Sequence, residues 1–303
     1  MQEVLKKLLL YLILAAAGVV LRKIGALKLE DRQVVINLMM YLTLPCAIIS
    51  GFMDSVLEPV MLLMVLVAIV YHGVQLAITL LRTRKQNGVA KSVGIIHSSA
   101  LNVGNFAMPM TQGLLAPSAF VYAGIFDSVC TIFTLGIHYA LASYYAEGKK
   151  QGMVRTILKK LLHSIPFLVY FVLIVMMVFR LRFPAIVYQI TGQIAQANGV
   201  LAMVLAGIVL DLHIPRKWIK PMAVILTIRY GVGLSFSIAA HLLFTQSPVV
   251  YQTLTMCLLA PYSNGILFFS KECKCDPKFS AALLGLSIVI TLFFYTILQL
   301  IWF

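Results

Sequence analysis

Asp127 and Arg229 stand deep inside apolar stretches of this 303-residue chain, far from any loop. A carboxylate or guanidinium at the centre of a membrane-spanning helix costs about 2.5–3.5 kcal/mol on insertion scales, so each is a functional candidate by default. Asp127 falls about ten residues into its stretch, near mid-depth at about 1.5 Å of rise per residue. There it can carry a coupled proton or ligate a cation; its structural alternative is to partner Arg229 or a hydroxyl. Arg229 is at similar depth. It can hold an anionic substrate, pair with Asp127, or snorkel to the interface.

The asparagines stand beside prolines. Asn102 and Asn105 belong to Asn102-Val103-Gly104-Asn105-Phe106-Ala107-Met108-Pro109, and Asn264 to Ala260-Pro261-Tyr262-Ser263-Asn264-Gly265, about half the chain later. A proline inside a helix removes one N–H and clashes with the carbonyl four residues back. Here those carbonyls belong to Asn105 and Cys257. Lipid offers them no partner, so such breaks survive only where backbone is buried in protein or lines a polar cavity. Two interrupted helices at corresponding places in two halves of a membrane chain point to a transporter's binding site. The residues expected to bind substrate are therefore Asn102, Asn105, Pro109, Pro261, Ser263, Asn264 and Arg229, with Ser98 and Ser99 as further contributors. Half-helix N-termini carry partial positive charge, which favours a small-molecule carboxylate as ligand. Asp127 is the expected ion-coupling residue, for H+ with Na+ as the other candidate.

The remaining polar groups suggest less. His72, His97 and His138 lie in apolar stretches without the spacing of a zinc helix and read as packed or hydrogen-bonded side chains. His163, His213 and His241 lie near stretch ends, and Asp211 reads as a surface residue. Cys46, Cys130 and Cys257 read as packing residues. Cys273 and Cys275, in a basic loop, read as two free thiols rather than a metal pair. No G-x-x-x-x-G-K-[ST], G-x-S-x-G or dinucleotide fingerprint occurs, so no ATP-driven motor, enzyme, metal or cofactor is expected.

The elements that position these residues follow from composition. Hydrophobic residues make up 61% of the chain and charged ones 11%, far from a soluble domain. Apolar stretches fall at about 4–21, 33–53, 57–81, 91–115, 117–145, 161–180, 184–210, 221–244, 249–269 and 279–302. Each is long enough to span a bilayer core of about 30 Å. The net charge of +14 does not mark a nucleic-acid binder, because no basic face interleaved with aromatics exists to track phosphates. Lys and Arg crowd instead into the loops after the odd-numbered stretches. The other side has only Lys6, Lys7, Arg180 and Arg182. The positive-inside rule then places both termini outside the plasma membrane and the central loop in the cytoplasm. Residues 1–146 and 161–303 are read as two five-helix repeats joined by a cytoplasmic linker at 147–160. An odd number of spans per half makes the repeats inverted.

Several of these residues carry a family likeness. Ile36-Asn37 followed by Leu44-Pro45, the N-V-G-N-F-A-M-P run, Gly124 to Asp127, the A-G-I-V-L ending at Leu210, Arg229 and Pro261 together resemble the auxin efflux carrier family in its short bacterial form. The resemblance covers essentially the whole chain. It implies an all-α membrane protein of ten helices in two inverted repeats, with helices 4 and 9 broken and crossing. It further implies a scaffold of spans 1, 2, 6 and 7, a mobile unit of spans 3–5 and 8–10, and a homodimer. The implied activity is secondary active transport of a small organic anion, a dicarboxylate or auxin-like carboxylate, by alternating access. Rival readings are a sodium-coupled carrier of the related bile-acid-symporter-like fold, a channel, and a ligand-binding membrane sensor without flux. The chain departs from the family where Asn198-Gly199 stands in place of a proline in span 7; Gln193, Gln196 and Asn198 make that span unusually polar.

Overall fold

The computed structural model describes residues 2–53, 55–98, 100–147, 153–210 and 214–302. Ser99, Asp211, His213 and linker residues 148–152 lie outside the described residues. Within them the chain is all-helical, and the sole extended pairing is one antiparallel bridge between Leu101 and Tyr262.

Helix α1 spans Gln2–Lys23, α2 Arg32–Gly51 and α3 Pro59–Thr83. The first broken helix comprises α4, Gly88–Ile96, and α5, residues 103–114. Then come α6 at Pro117–Ala146, α7 at Met153–Leu162, α8 at Ile165–Val178, α9 at Ala185–Val209 and α10 at Arg216–Leu243. The second broken helix comprises α11, Pro248–Leu258, and α12, Gly265–Glu272; α13, Pro277–Trp302, closes the order. Pro59, Pro117, Pro166 and Pro248 sit at first helical turns, where a missing N–H leaves nothing unpaired. Asn87 caps α4 by accepting from the Ala90 N–H at 2.8 Å. Among the described residues, six runs are long and apolar enough to cross a membrane: α2, α3, α6, α9, α10 and residues 277–299 of α13. They mark the chain as a membrane protein.

Two other prolines are absorbed by local widening. In α2 the helix opens at Met39–Thr43, and the Leu44 N–H reaches the carbonyl of Met39, five residues back, just before Pro45. In α5 the same happens at Val103–Ala107, where the Met108 N–H reaches Val103 just before Pro109. One wide turn leaves room for the ring while keeping the preceding donor paired. Pro109 therefore does not break its helix. The break lies upstream, at 97–102, which corrects the expectation that the proline marks it. Pro261 does lie in unwound chain, between α11 and α12.

Helix α1 packs on α9, and α9 packs on α2. A Cβ on Gly207 would lie 2.0 Å from the Ala15 carbonyl oxygen and 2.9 Å from the Gly18 Cα, so the two backbones touch. Arg22 donates to the Ile208 carbonyl at 2.8 Å, tying the same helices near their ends. Thr43 donates to the Asn198 Oδ1 at 2.9 Å in a buried contact, so the polar Asn198 serves as a clip between α2 and α9. Overpacking typically costs about 1–3 kcal/mol. Gly207→Ala is accordingly expected to lower the thermal midpoint of the purified protein, and an unchanged midpoint would show that α1 and α9 are not in backbone contact.

Candidate functional site

The two unwound stretches meet. The Asn102 N–H donates to the Pro261 carbonyl at 2.8 Å, and the Ser263 N–H donates to the Ala100 carbonyl at 2.8 Å. These bonds flank the Leu101–Tyr262 bridge. Each break thus supplies the partners that the other has lost, answering the demand that buried backbone be paired. Neighbouring groups complete the pairing. The Ala260 N–H donates to the Cys257 carbonyl at 3.3 Å, and the Leu259 carbonyl accepts from the Thr291 hydroxyl at 2.7 Å. The Tyr262 N–H donates to Ser287 Oγ at 3.0 Å, and its hydroxyl donates to the His97 carbonyl at 2.7 Å. His97 is held as well: its Nδ1 donates to the Val93 carbonyl at 2.7 Å, which leaves Nε2 to accept from Ser280 at 2.8 Å.

Asp127 and Arg229 are both brought to this crossing, but not to each other. Asp127 Oδ1 accepts the Gly104 N–H at 3.1 Å, at the start of α5, and Oδ2 accepts the Tyr170 hydroxyl at 3.0 Å. Arg229 donates through Nη2 to the Ala260 carbonyl, just beyond the end of α11. Its guanidinium lies over the Tyr262 ring at 4.1 Å and the Tyr230 ring at 5.3 Å. The carboxylate thus meets the positive start of one half-helix and the guanidinium the negative end of another, the favourable sense for both dipoles. The α5 N-terminus, read from sequence as a place for a substrate carboxylate, is occupied by the protein's own.

Beside the crossing lies a cavity of about 430 Å³, lined by Gln33, Asn37, Met40, Asn105, Leu135, Ser164, Ser263, Asn264 and Phe269 among others. A smaller cleft of about 90 Å³ shares Met40, Asn105, Leu135, Ser164, Pro166 and Ser263 with it and adds Asn102, Asp127, Thr131 and Thr134. The Oδ1 atoms of Asn105 and Asn264 are buried and have no hydrogen-bond partner. A half-turn of either amide presents –NH2 instead, so each can meet a carboxylate oxygen or a hydroxyl. No Lys or Arg of the described residues lines the larger cavity.

Of the residues expected from sequence, Asn102, Asn105, Asp127, Ser263 and Asn264 line these spaces. Pro109, Pro261 and Arg229 do not. The Pro109 carbonyl accepts from the Tyr11 hydroxyl at 2.9 Å, Pro261 belongs to the backbone ladder, and Arg229 is buried behind Tyr262. Ser98 turns back to the Ile95 carbonyl at 2.8 Å. Sequence reading missed Tyr170, Thr134, Gln33 and Ser164. Gln33 and Asn37 had a signal: they are four residues apart on one helix face and hydrogen-bond each other at 2.8 Å. In the loop before α13, burial pushes the Cys275 thiol up to about 12, which keeps it protonated near neutral pH. No protein-family model matches the chain, and no curated protein matches it.

Proposed function

We propose that the protein is a secondary active carrier of a small organic anion, working by alternating access. The observation that carries this reading is the hydrogen-bonded crossing of two broken helices, beside a cavity into which each contributes an asparagine amide. A substrate would sit against Asn105 from α5 and Asn264 at the start of α12. The rest of the wall, with Met40, Leu135 and Phe269, suits an apolar body. With amides and no Lys or Arg among the described lining residues, the lining favours one carboxylate on an apolar frame over a dicarboxylate.

The proposed architecture is ten spans in two inverted five-helix repeats. Helical runs over every apolar stretch of the sequence support it. So does the packing of α1 and α2 on α9, alongside the α3–α6 and α10–α11 pairings. Gln33 and His163 stand at the cavity beside the basic loops that the charge distribution assigns to the cytoplasm. In that orientation the cavity is open inward. The homodimer rests on the family resemblance alone. The coupled ion acts at Asp127, next to the substrate space.

The test is uptake of radiolabelled malate, malonate, lactate and indole-3-acetate by proteoliposomes, against empty vesicles. Uptake of at least one compound is expected, strongest among the monocarboxylates. Asn105→Ala and Asn264→Ala are each expected to lower it about 10- to 100-fold, the equivalent of one hydrogen bond to a charged group. Wild-type uptake in both variants would remove the site assignment. No uptake of any of the four by the wild type would count against an anion carrier and favour a sensor.

A further inference from the structure

Helix α8 closes on an arginine in a place that usually falls to glycine. The Leu181 N–H donates to the Met176 carbonyl at 2.8 Å, and the Arg180 N–H donates to the Met177 carbonyl at 3.2 Å. This pair of bonds ends a helix by turning the residue after its cap into the left-handed region, where Arg180 stands at φ +55°. Glycine adopts that backbone freely and arginine does not. A cation near a helix C-terminus is favourable in itself. An arginine one turn earlier would give that benefit without the backbone cost, so the dipole does not account for the position.

The position does give Arg180 a place in the wall of a cavity. The space is about 400 Å³, between the loop after α2, the end of α8 and the start of α9, within the range of about 300–1,000 Å³ common for ligand sites. Arg182 lines it as well, and also makes a contact within the protein. Tyr188 lines it from α9. The Tyr188 hydroxyl accepts the Phe183 N–H at 3.2 Å, which puts that oxygen one residue from Arg182 and leaves its own proton to donate. No described lining residue is acidic, and Asp54 lies outside the described residues. Only four of the chain's 24 Lys and Arg belong to the side away from the basic loops, and two of those four line this one cavity.

The rest of the wall is hydrocarbon. Val56, Leu57, Val178 and Leu181 line the same space, and each is more than half exposed. A free inorganic anion makes no use of such a rim; a phosphodiester attached to acyl chains uses both parts. We infer that this cavity binds an anionic glycerophospholipid, with its phosphate held by Arg180, Arg182 and the Tyr188 hydroxyl and an acyl chain on the apolar rim. Guanidinium forks match phosphate oxygens two at a time, and basic pockets between membrane helices hold anionic head groups. In the orientation that the charge distribution gives, the lipid belongs to the outer leaflet. No step of transport enters the inference, so it stands or falls apart from the carrier reading.

The experiment follows the thermal midpoint of the purified full chain in detergent, titrated with dioleoyl phosphatidylglycerol, dioleoyl phosphatidylcholine or inorganic phosphate. Phosphatidylglycerol is expected to raise the midpoint by about 5 °C at saturation, and the other two much less. Arg180→Gly separates a ligand site from a structural cap. It should leave the midpoint without lipid unchanged or higher, since glycine suits the backbone there, yet require at least about tenfold more phosphatidylglycerol for half the effect. Arg182→Gln should weaken the response too, Arg180→Lys should keep part of it, and Lys85→Gln, on an exposed basic loop, should keep all of it. An undiminished response in Arg180→Gly would overturn the proposal. So would an equal rise with inorganic phosphate, which would mark a free-anion site, or an equal loss in Lys85→Gln, which would mark diffuse charge.

Discussion

Arg229→Leu is expected to cut transport at least about 100-fold while moving the thermal midpoint little. Two opposed terms give the second half of that statement. The change removes a charge-assisted hydrogen bond to Ala260, about 1.5–3 kcal/mol, and a desolvated cation–π contact of about 2 kcal/mol. It also removes a buried cation whose Nε and Nη1 have no partner, each a desolvation cost of about 1–3 kcal/mol. The sums nearly cancel, as they often do when a hydrophobic side chain replaces a buried charge. Function does not share the cancellation. Arg229 holds the carbonyl before Pro261 and the face of Tyr262, and these set the ladder that places Ser263 and Asn264. Arg229→Lys keeps the charge but loses the planar fork, and should recover only part of the flux. Proteoliposome uptake and thermal unfolding of the same preparations decide the matter. Intact flux in Arg229→Leu would show that the stack does not set the crossing. A collapsed midpoint would reduce Arg229 to a structural role.

Gly104→Val is expected to abolish transport, with the protein still inserted. A Cβ at this position would lie 2.8 Å from Asp127 Oδ2 and 3.3 Å from a Leu44 methyl. The carboxylate is the movable partner, and Tyr170 and the Gly104 N–H hold it from two sides. Alanine pushes it aside by a few tenths of an ångström; valine, with its branched Cβ, also meets Leu44. Gly104→Ala should therefore lower transport about tenfold, and valine should remove it. Proteoliposome uptake by both variants, with thermal midpoints as the control for folding, checks this. Wild-type uptake by folded Gly104→Val would show that the place of the Asp127 carboxylate does not matter for transport.

Much of the fold was legible because lipid imposes a simple grammar. Length and hydropathy located the helical runs, and the two Pro-bearing polar runs located the two breaks to within a turn or so. The finer placement was not legible, for a physical reason. A proline's cost can be met by opening one turn, as Pro45 and Pro109 show, and nothing in the sequence says whether a helix will widen or stop. Of the site, Asn105, Asn264 and Asp127 were visible as polar groups amid apolar neighbours. Their partners were harder to see. Tyr170 lies in an aliphatic helix where a tyrosine passes for packing, yet its hydroxyl reaches Asp127 from 43 residues away. For Arg229 and Asp127 the sequence left pairing with each other open beside a role toward substrate or ion, because opposite charges at equal depth allow either. Each instead serves a half-helix end, and only the path of the backbone could reveal it.

The ladder between the breaks has a consequence for how the chain is made. Tyr262 bonds to His97, 165 residues earlier, and the Leu101 bridge depends on the same late segment. At about 5–20 residues per second of synthesis, the first break waits roughly 10–30 s for its partner. During that interval the Ala100 carbonyl and the Asn102 N–H lack the partners that they have in the finished fold. The first half is thus a committed but unfinished insertion, closed only by the arrival of the second. Assembly order is written into two backbone hydrogen bonds, and a lesion at residues 261–263 damages the half that was already in the membrane before those residues existed.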